Sequence, residues 1–341
     1  MTTPNSFIIE TKDLVKKFGD TVAVDGLDLA IRPGELFGLV GPDGAGKTTA
    51  IRMLVAIMNP TSGSASVLGF DTKKESEAIK PHIGYMAQQF SMYDDLSVME
   101  NLNFFADVFS LRGAARRQRI DRLLAFARLT EFGDRRAGHL SGGMKKKLAL
   151  ACALIHEPDI LYLDEPTTGV DPVSRREFWD ILTELHIQGV TILVSTPYMD
   201  EAERCSRVGL MYRGRLIECD APAAIKDLIP GQLLELKPVS DSGRSVGVLQ
   251  RAKAVVAPLP GVLEVQTYGD LLHVFVDQAA ARQDAIIAAL NQADIEVRNL
   301  RTTKPRMEEA YISLVRREET LRREEAQRRE QDQRSGEEDA A

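Results

Sequence analysis

The sequence has no long apolar run. Residues 148–155 form an apolar stretch of only eight residues, whereas a helix that crosses a bilayer needs about 20. Residues 1–9 also lack the basic segment followed by an apolar segment that is typical of a secretory signal. We therefore expect no membrane-spanning segment, so the chain would reach a membrane only by binding something already there.

Cysteine is scarce, and positive charge does not predominate. The three cysteines, Cys152, Cys205 and Cys219, are too few for a disulfide scaffold, so a reducing cytosol is the expected compartment. The 43 Lys and Arg residues are outnumbered by 50 Asp and Glu residues, which gives a net charge of −7. This balance excludes an overall basic field for nucleic acid, although it does not exclude a local patch.

The chain does contain enough apolar material for a sizeable core. Its 341 residues are 44% hydrophobic, which excludes wholesale disorder, and the length suggests two domains. Residues 36–40, 160–164 and 191–195 are nearly continuously apolar, which is typical of parallel strands covered on both faces. Asp171 followed by Pro172 predicts a helix start. The apolar face of that helix comprises Phe178, Trp179, Ile181, Leu182 and Leu185.

A smaller unit follows a break at residues 229–231. The pattern predicts strands at 233–236, 262–267, 271–276 and 295–300, with helices at 246–256 and 279–290. The order βαββαβ predicts a small α+β, ferredoxin-like domain. We therefore divide the chain into a first domain of residues 1–228, an accessory or regulatory domain of residues 229–315 and a tail of residues 316–341.

The tail consists of a charged six-residue repeat that begins at Arg316. Glutamates such as Glu318 stand four residues before an arginine, which is the favourable helical orientation. Leu314 and Leu321 are the only heptad-like apolar pair, so a coiled coil is weakly supported. The composition predicts a solvated helix or a disordered tail, with a docking site for a partner as the alternative.

A phosphate-binding loop of the form G-x-x-x-x-G-K-[ST] joins one apolar strand to an apolar helix. Its residues are Gly41, Pro42, Asp43, Gly44, Ala45, Gly46, Lys47, Thr48 and Thr49. Glycines let backbone N–H groups close around phosphates, and the helix N-terminus adds positive potential. Lys47 would reach the terminal phosphates, and the Thr48 hydroxyl would coordinate Mg²⁺.

Two adjacent acids stand at the end of another apolar strand, at the edge where α/β sheets bind ligands. Asp164 would help to hold Mg²⁺, directly or through water, and Glu165 would orient and polarise the attacking water. Together with the loop, these residues predict a phosphoryl-transfer site.

A further motif lies between the loop and these acids. It comprises Leu140, Ser141, Gly142, Gly143 and Met144. With the motifs in this order, residues 7–225 resemble the ATP-binding-cassette (ABC) family of ATPases, whose signature motif this is. The resemblance implies the corresponding fold: a P-loop α/β core with a helical subdomain and an antiparallel β part.

The resemblance also implies roles for individual residues. Phe18 would stack on adenine, and Gln88 would be the glutamine that senses Mg²⁺ and faces the membrane partner. Glu165, Lys47 and Gln88 form the implied catalytic set. Asp171 would contact a second protomer as well as cap its own helix.

The family resemblance implies a head-to-tail dimer with two ATPs at its interface. Ser141, Gly142 and Gly143 of one protomer would bind the nucleotide held by the other. The second cassette would be an identical or a different chain. Separately encoded transmembrane permease subunits would carry the substrate, with this chain peripheral on the cytoplasmic face of the inner membrane.

The branch of the family is indicated by residues 92–102 and 304–311, which resemble the ABC-2 type of bacterial exporter, including multidrug members. Two other functions stay open at this point. One is a soluble ABC ATPase that acts on nucleic acid or ribosomes, and the other is an ATP-gated clamp with little turnover. The acidic balance and the single cassette favour the exporter, and nucleic acid is not an expected partner.

Position 197 departs from the family pattern. The family places there a histidine that contacts the γ-phosphate, whereas this chain has Pro197. Proline offers neither an imidazole nor a backbone N–H. Because one preorganised donor is typically worth about 10²–10³ in rate, we expect slow hydrolysis with ATP binding largely intact. Proline also suits the start of a helix predicted over residues 198–204.

Overall fold

The computed structural model describes residues 7–89, 92–239 and 247–338. The chain divides into two units, Met1–Pro222 and Ala223–Ala341. The strands up to residue 220 are β1 (Ile9–Phe18), β2 (Thr21–Ile31), β3 (Leu36–Val40), β4 (Ser62–Val67), β5 (Phe70–Asp71), β6 (Ile83–Met86), β7 (Ile160–Asp164), β8 (Thr191–Thr196), β9 (Arg207–Tyr212) and β10 (Arg215–Asp220). The helices up to residue 227 are α1 (Lys47–Leu54), α2 (Ser76–Ile79), α3 (Val98–Val108), α4 (Gly113–Phe126), α5 (Gly142–Ala153), α6 (Pro172–Ile187), α7 (Met199–Ala202) and α8 (Pro222–Asp227).

The central sheet of the first unit has the strand order β10-β9-β3-β8-β7-β6 within the described residues. All neighbouring pairs are parallel except β9 and β10. Every residue of β3, β7 and β8 is buried, as their apolar sequences predicted. In register, Asp164 pairs with Ser195, and Val40 pairs with Thr196. The carboxyl ends of these three strands therefore meet at one edge.

Two further layers complete the first unit. Strands β2-β1-β4-β5 form an antiparallel sheet, which shares one hydrophobic core with the central sheet through residues such as Leu27, Phe37 and Met53. Helices α3, α4 and α5 form the helical part. The Ser97 hydroxyl and the Glu100 carboxylate cap the start of α3 reciprocally. The predicted fold class, a P-loop core with a helical subdomain and an antiparallel β part, is confirmed.

Helix α6 begins as its sequence predicted. The Asp171 side chain accepts hydrogen bonds from the amides of Val173 (3.1 Å) and Ser174 (2.9 Å), and Pro172 occupies the first helical position. The backbone amide of Ser174 is the main reason that the pKa of Asp171 is lowered. All five predicted apolar-face residues are buried.

The second unit contains the predicted βαββαβ order. Its elements are β11 (Gln232–Val239), α9 (Val248–Val256), β12 (Val262–Tyr268), β13 (Leu271–Val276), α10 (Ala279–Gln292), β14 (Glu296–Thr303) and α11 (Met307–Glu338). The strands form an antiparallel sheet in the order β12-β13-β11-β14, with α9 and α10 on one shared core. This is the ferredoxin-like order. Val246, the expected start of the first helix, lies outside the described residues.

Helix α11 is anchored by a buried histidine. One ring nitrogen of His273 lies 2.9 Å from the Glu309 carboxylate on α11, and the other lies 3.2 Å from the Glu235 carboxylate on β11. The helix continues through residue 338 and therefore crosses the predicted boundary at 315/316, with the expected Glu318–Arg322 hydrogen bond at 2.8 Å. Residues 339–341 of the predicted tail lie outside the described part. The domain boundaries at 228 and 315 remain predictions.

Candidate nucleotide-binding site

The glycine-rich loop joins β3 to α1 and borders a cavity of about 300 Å³. Gly46 has a φ of 103°, and a Cβ added there would lie 2.3 Å from the carbonyl oxygen of Ala23 on β2. The position therefore requires glycine for both its backbone angle and its space. The cavity is lined by Ala23, Asp43, Gly44, Ala45, Gly46, Lys47, Thr48, Thr49, Gln88 and Glu165.

Lys47 contributes a positively charged side chain to the lining of this cavity. Its ammonium donates to the carbonyl oxygens of Gly41 (2.8 Å) and Pro42 (3.0 Å). The same nitrogen lies 3.1 Å from a carboxylate oxygen of Glu165. Lys47 is therefore held within the loop and paired with the predicted hydrolytic residue, in the position from which an ammonium can bind phosphate.

Asp164 and Thr48, the predicted Mg²⁺ ligands, lie within hydrogen-bond distance of each other. The Thr48 hydroxyl donates to Asp164 Oδ1 (3.0 Å), and the Ser195 hydroxyl donates to the same oxygen (2.7 Å). Burial raises the pKa of Asp164, although these hydrogen bonds oppose that shift.

The donor set fits Mg²⁺. Asp164 Oδ2 is buried without a hydrogen-bond partner, as an oxygen that accepts a cation would be. In the described part of the chain, no cluster of three or more His, Cys, Asp or Glu side chains is arranged to hold a metal. Mg²⁺ does not need one, because it is commonly bound by one or two carboxylates together with substrate phosphates.

The Glu165 carboxylate has three described partners, one of which is the Thr168 hydroxyl, which donates to Oε2 (3.4 Å). Gln88 donates its side-chain amide to Glu165 Oε2 (2.8 Å), while Lys47 pairs with Oε1. The Glu165 backbone amide donates to the Ser195 hydroxyl (3.0 Å). The structure thus brings five predicted residues together in one connected network, comprising Lys47, Thr48, Gln88, Asp164 and Glu165.

The other predicted residues lie elsewhere. Phe18 ends β1 with its ring 49% exposed and the Lys16 ammonium 5.2 Å from the ring centroid, so its contact with adenine stays a prediction. Ser141 caps α5 by accepting from the Met144 amide (3.3 Å). Ser141, Gly142, Gly143 and Asp171 are not among the described residues that line the Lys47 cavity.

Gly143 lies where α5 passes close to α6. A Cβ added there would lie 2.4 Å from the Cβ of Ser174, so this signature glycine is also required for packing between the two helices. The roles implied for the signature residues in a dimer remain predictions.

The segment around Pro197 differs in detail from the expectation. Strand β8 ends at Thr196, Pro197 is half-buried, and Tyr198 is the N-cap of a helix that covers only Met199–Ala202. The helix predicted over residues 198–204 is therefore too long, and proline precedes the cap instead of opening the helix. The reason is that the Tyr198 amide donates to the Thr196 hydroxyl (3.0 Å), which forms a turn before the helix starts.

Two residues that contact the site or its neighbouring segments were not predicted from the sequence. Ser195 contacts both Asp164 and the Glu165 amide, and its signal was a hydroxyl at the carboxyl end of an otherwise apolar strand. The buried Glu201 accepts from the hydroxyls of Thr167 and Thr196, each at 2.6 Å. No local pattern distinguished Glu201 from its charged neighbours, because both partners come from other segments.

A strand–loop–helix phosphate cradle, with a buried acid pair at the neighbouring strand end, defines a P-loop nucleoside-triphosphate-binding protein. Comparison with known proteins identifies the family. Residues 24–168 match the ABC transporter family. The daunorubicin resistance ATP-binding protein DrrA2 of Streptomyces coeruleorubidus is 33% identical over 311 residues, which cover 91% of this chain and 95% of that protein. The chain therefore belongs to the ABC transporter family of ATP-binding proteins, as its motifs predicted.

A second relative matches the cassette alone. The probable multidrug ABC transporter ATP-binding protein YbhF of Escherichia coli (strain K12) is 50% identical over 224 residues, or 66% of this chain. The match spans only 39% of YbhF. ATP-binding cassettes of this family are ATPases coupled to transport.

Solved structures agree with the fold. The dimeric cassette MJ0796 in a post-hydrolysis state bound to ADP and Pi has a TM-score of 0.58 and 26% identity, covering 62% of this chain and 98% of that one. The cbiO1 subunit from Clostridium perfringens, part of the ABC transporter complex cbiONQ, has a TM-score of 0.61 and 25% identity, covering 74% of this chain and 96% of that one.

Proposed function

We propose that this chain binds and hydrolyses ATP as the motor subunit of a membrane exporter. The observation that carries the proposal is the network at the carboxyl edge of the central sheet. There, Lys47 and Gln88 both contact Glu165, while Thr48 and Ser195 both contact Asp164. One relative is named as part of a probable multidrug ABC transporter and another as a daunorubicin resistance ATP-binding protein, and both names support export as the direction of transport.

The chemistry follows from the positions of these side chains. The loop amides and Lys47 would bind the phosphates of ATP, while Glu165, aligned by Gln88, would orient water towards the γ-phosphate. Bound Mg²⁺, held by Thr48 and Asp164 with Gln88 nearby, would neutralise charge on the β- and γ-phosphates. Pro197 offers no donor to that charge, so we propose slow turnover.

A second cassette would complete each ATP site. Ser141, Gly142 and Gly143 open α5, and amides at a helix N-terminus attract phosphate. Asp171 would lie at the same interface. The similarity to a dimeric cassette bound to ADP and Pi supports this arrangement. Loss of the γ-phosphate would remove contacts and open the dimer.

A permease partner is supported by an apolar cleft of about 240 Å³ in the first unit. It is bordered by Ile57, Tyr85, Phe105, Phe109 and His156, among others. Ile57 is 58% exposed, and exposed apolar patches commonly bind protein partners. Within the described residues, no helix has the length and apolar character needed to cross a bilayer. We propose that separately encoded transmembrane subunits bind this cleft, which would hold the chain on the cytoplasmic face of the inner membrane.

The proposal is tested by purifying the tagged full-length chain from detergent-solubilised membranes and measuring ATP hydrolysis. Stoichiometric integral membrane subunits and Mg²⁺-dependent hydrolysis, abolished by Lys47→Ala, are the expected results. Co-purification with RNA or ribosomes would instead favour a soluble ABC ATPase. Tight ATP binding with no turnover in the membrane complex would favour the clamp.

A further inference from the structure

Three consecutive lysines follow the signature motif, and each has a different partner. The Lys145 ammonium lies 3.0 Å from the Asp94 carboxylate. Lys147 pairs with Glu177. The Lys146 ammonium donates to the backbone carbonyl of Gln88 (3.1 Å). All three ammonium groups therefore have partners within the fold. The partner of Lys146 is Gln88, which belongs to the network at the nucleotide site.

Gln88 is bound on two sides. Its backbone accepts from Lys146 on α5, and its side-chain amide donates to Glu165 Oε2 (2.8 Å) at the end of β7. Gln88 itself lies beyond the end of β6 at Met86, outside regular secondary structure. Its position therefore depends on these tethers more than on a strand or helix ladder.

The hydrogen bond from Lys146 connects helix α5 to the segment that contains Gln88. Lys146 is half-buried in the first turns of α5, beside a cavity of about 470 Å³ that Gln88 and Thr168 also line. A hydrogen bond from an ammonium is among the stronger ones in proteins. Losing it would free the Gln88 backbone and, through it, the amide that aligns Glu165.

We propose that Lys146 is a positioning residue for ATP hydrolysis, which acts by holding the Gln88 backbone so that the Gln88 side chain keeps Glu165 aligned. This inference rests on the proposed ATPase function. It links the signature helix to the hydrolytic carboxylate of the same chain through two hydrogen bonds. A tether of this kind affects the chemical step more than the binding of ATP.

The test uses Lys146→Met, Lys146→Arg and the adjacent Lys145→Met as the matched control, all in the full-length chain within its membrane complex. We expect Lys146→Met to lower kcat by about tenfold, with KM for ATP and nucleotide affinity within about twofold of wild type. Lys146→Arg retains a donor and should recover most of the rate. Lys145→Met removes only a surface ion pair and should keep the wild-type rate.

A double-mutant cycle tests the route through Gln88. In a Gln88→Ala background the path to Glu165 is already broken, so adding Lys146→Met should change kcat by less than about twofold. Equal thermal unfolding of Lys146→Met and Lys145→Met would show that folding is unchanged. If Lys146→Met unfolds early, Lys146→Leu, which also lacks a donor, serves as the second neutral variant.

The two proposals fail differently. Absence of ATP hydrolysis by the wild-type complex would overturn the ATPase function. Wild-type hydrolysis with an unchanged kcat in Lys146→Met would overturn the positioning role and leave the ATPase function intact. A raised KM at constant kcat, or effects of Lys146→Met and Gln88→Ala that simply multiply, would also overturn the positioning role.

Discussion

The ammonium of Lys47 lies 3.1 Å from the carboxylate of Glu165, and the two side chains are only 3% and 6% exposed. The cation proposed to bind phosphate and the carboxylate proposed to orient water are thus paired with each other inside the site. A γ-phosphate that reaches Lys47 competes with Glu165 for the same ammonium. We therefore predict that binding of ATP would be coupled to release of Glu165 towards water.

Glu165→Gln separates binding from hydrolysis. The amide keeps the size of the side chain but neither polarises water nor holds Lys47 by charge. We expect hydrolysis to fall by about 10²–10⁴, with ATP affinity equal to or above that of wild type. Equilibrium nucleotide binding and phosphate release measure the two effects. Light scattering with ATP should then show a persistent dimer, and weaker ATP binding than wild type would contradict the coupling.

Substitutions at Pro197 test whether the absence of a hydrogen-bond donor at this position slows ATP hydrolysis. Pro197 directly follows Thr196 at the carboxyl edge of β8, where the family resemblance implies a histidine that contacts the γ-phosphate. We expect Pro197→His to raise kcat in the assembled complex, by up to about 10²-fold. Pro197→Ala is the control, because it removes proline without adding a donor. Equal rates of ATP hydrolysis in the two variants would show that a donor at position 197 does not limit turnover.

Glu201 is a buried carboxylate that joins two segments of the site. It accepts from Thr167 and Thr196 and lies 3.7 Å from the Arg175 guanidinium. Glu201→Leu would leave these groups without their acceptor, so we expect the free energy of unfolding to fall by about 3 kcal/mol. Urea unfolding measures this loss.

The control for Glu201 is its exposed neighbour Asp200. Asp200→Asn should change the unfolding free energy by less than about 0.5 kcal/mol. An equal effect of the two substitutions would show that the buried network is not the source of the stability.

The lowered pKa of Glu309 predicts that acid reduces the stability of the second unit. Burial alone would raise the pKa of Glu309, but hydrogen bonds from His273 and the Arg306 amide outweigh it, so the pKa lies below its ordinary value of 4.5. A carboxyl with a lowered pKa stabilises the fold above that ordinary value, and this contribution is lost as the pH falls through the lower, folded value. Wild type should therefore exceed Glu309→Gln in unfolding free energy near neutral pH.

The pH series provides the check. The difference between wild type and Glu309→Gln should be about 2 kcal/mol near pH 7 and should shrink once the pH falls below about 4.5. Urea unfolding at several pH values measures it. The adjacent, exposed Glu308→Gln is the control. A difference that stays constant down to acidic pH would contradict the sign of the shift.

Much of the fold could be predicted because it depends on local patterns. Strands β3 and β7 have the predicted bounds, since continuous apolar runs with flanking turn residues specify a buried strand. The phosphate loop was predictable for the same reason: its glycines set the local backbone, and Lys47 directly follows them at the start of α1. The βαββαβ order of the second unit also follows from local periodicity.

The tertiary structure decided which distant side chains meet. Lys146 and Gln88 are 58 positions apart, and Thr167 and Glu201 are 34 apart, so no local spacing indicated either contact. The same holds for His273 and Glu309, 36 positions apart, which fix the start of a helix that runs past the predicted boundary at residue 315. The sequence by itself determined strands such as β3 and β7 and the glycine-rich loop that Lys47 follows. Packing of separate elements against one another decided which side chains hold Glu165 in place. The reason is that a buried polar group needs a hydrogen-bond partner, and only the fold brings distant partners within reach.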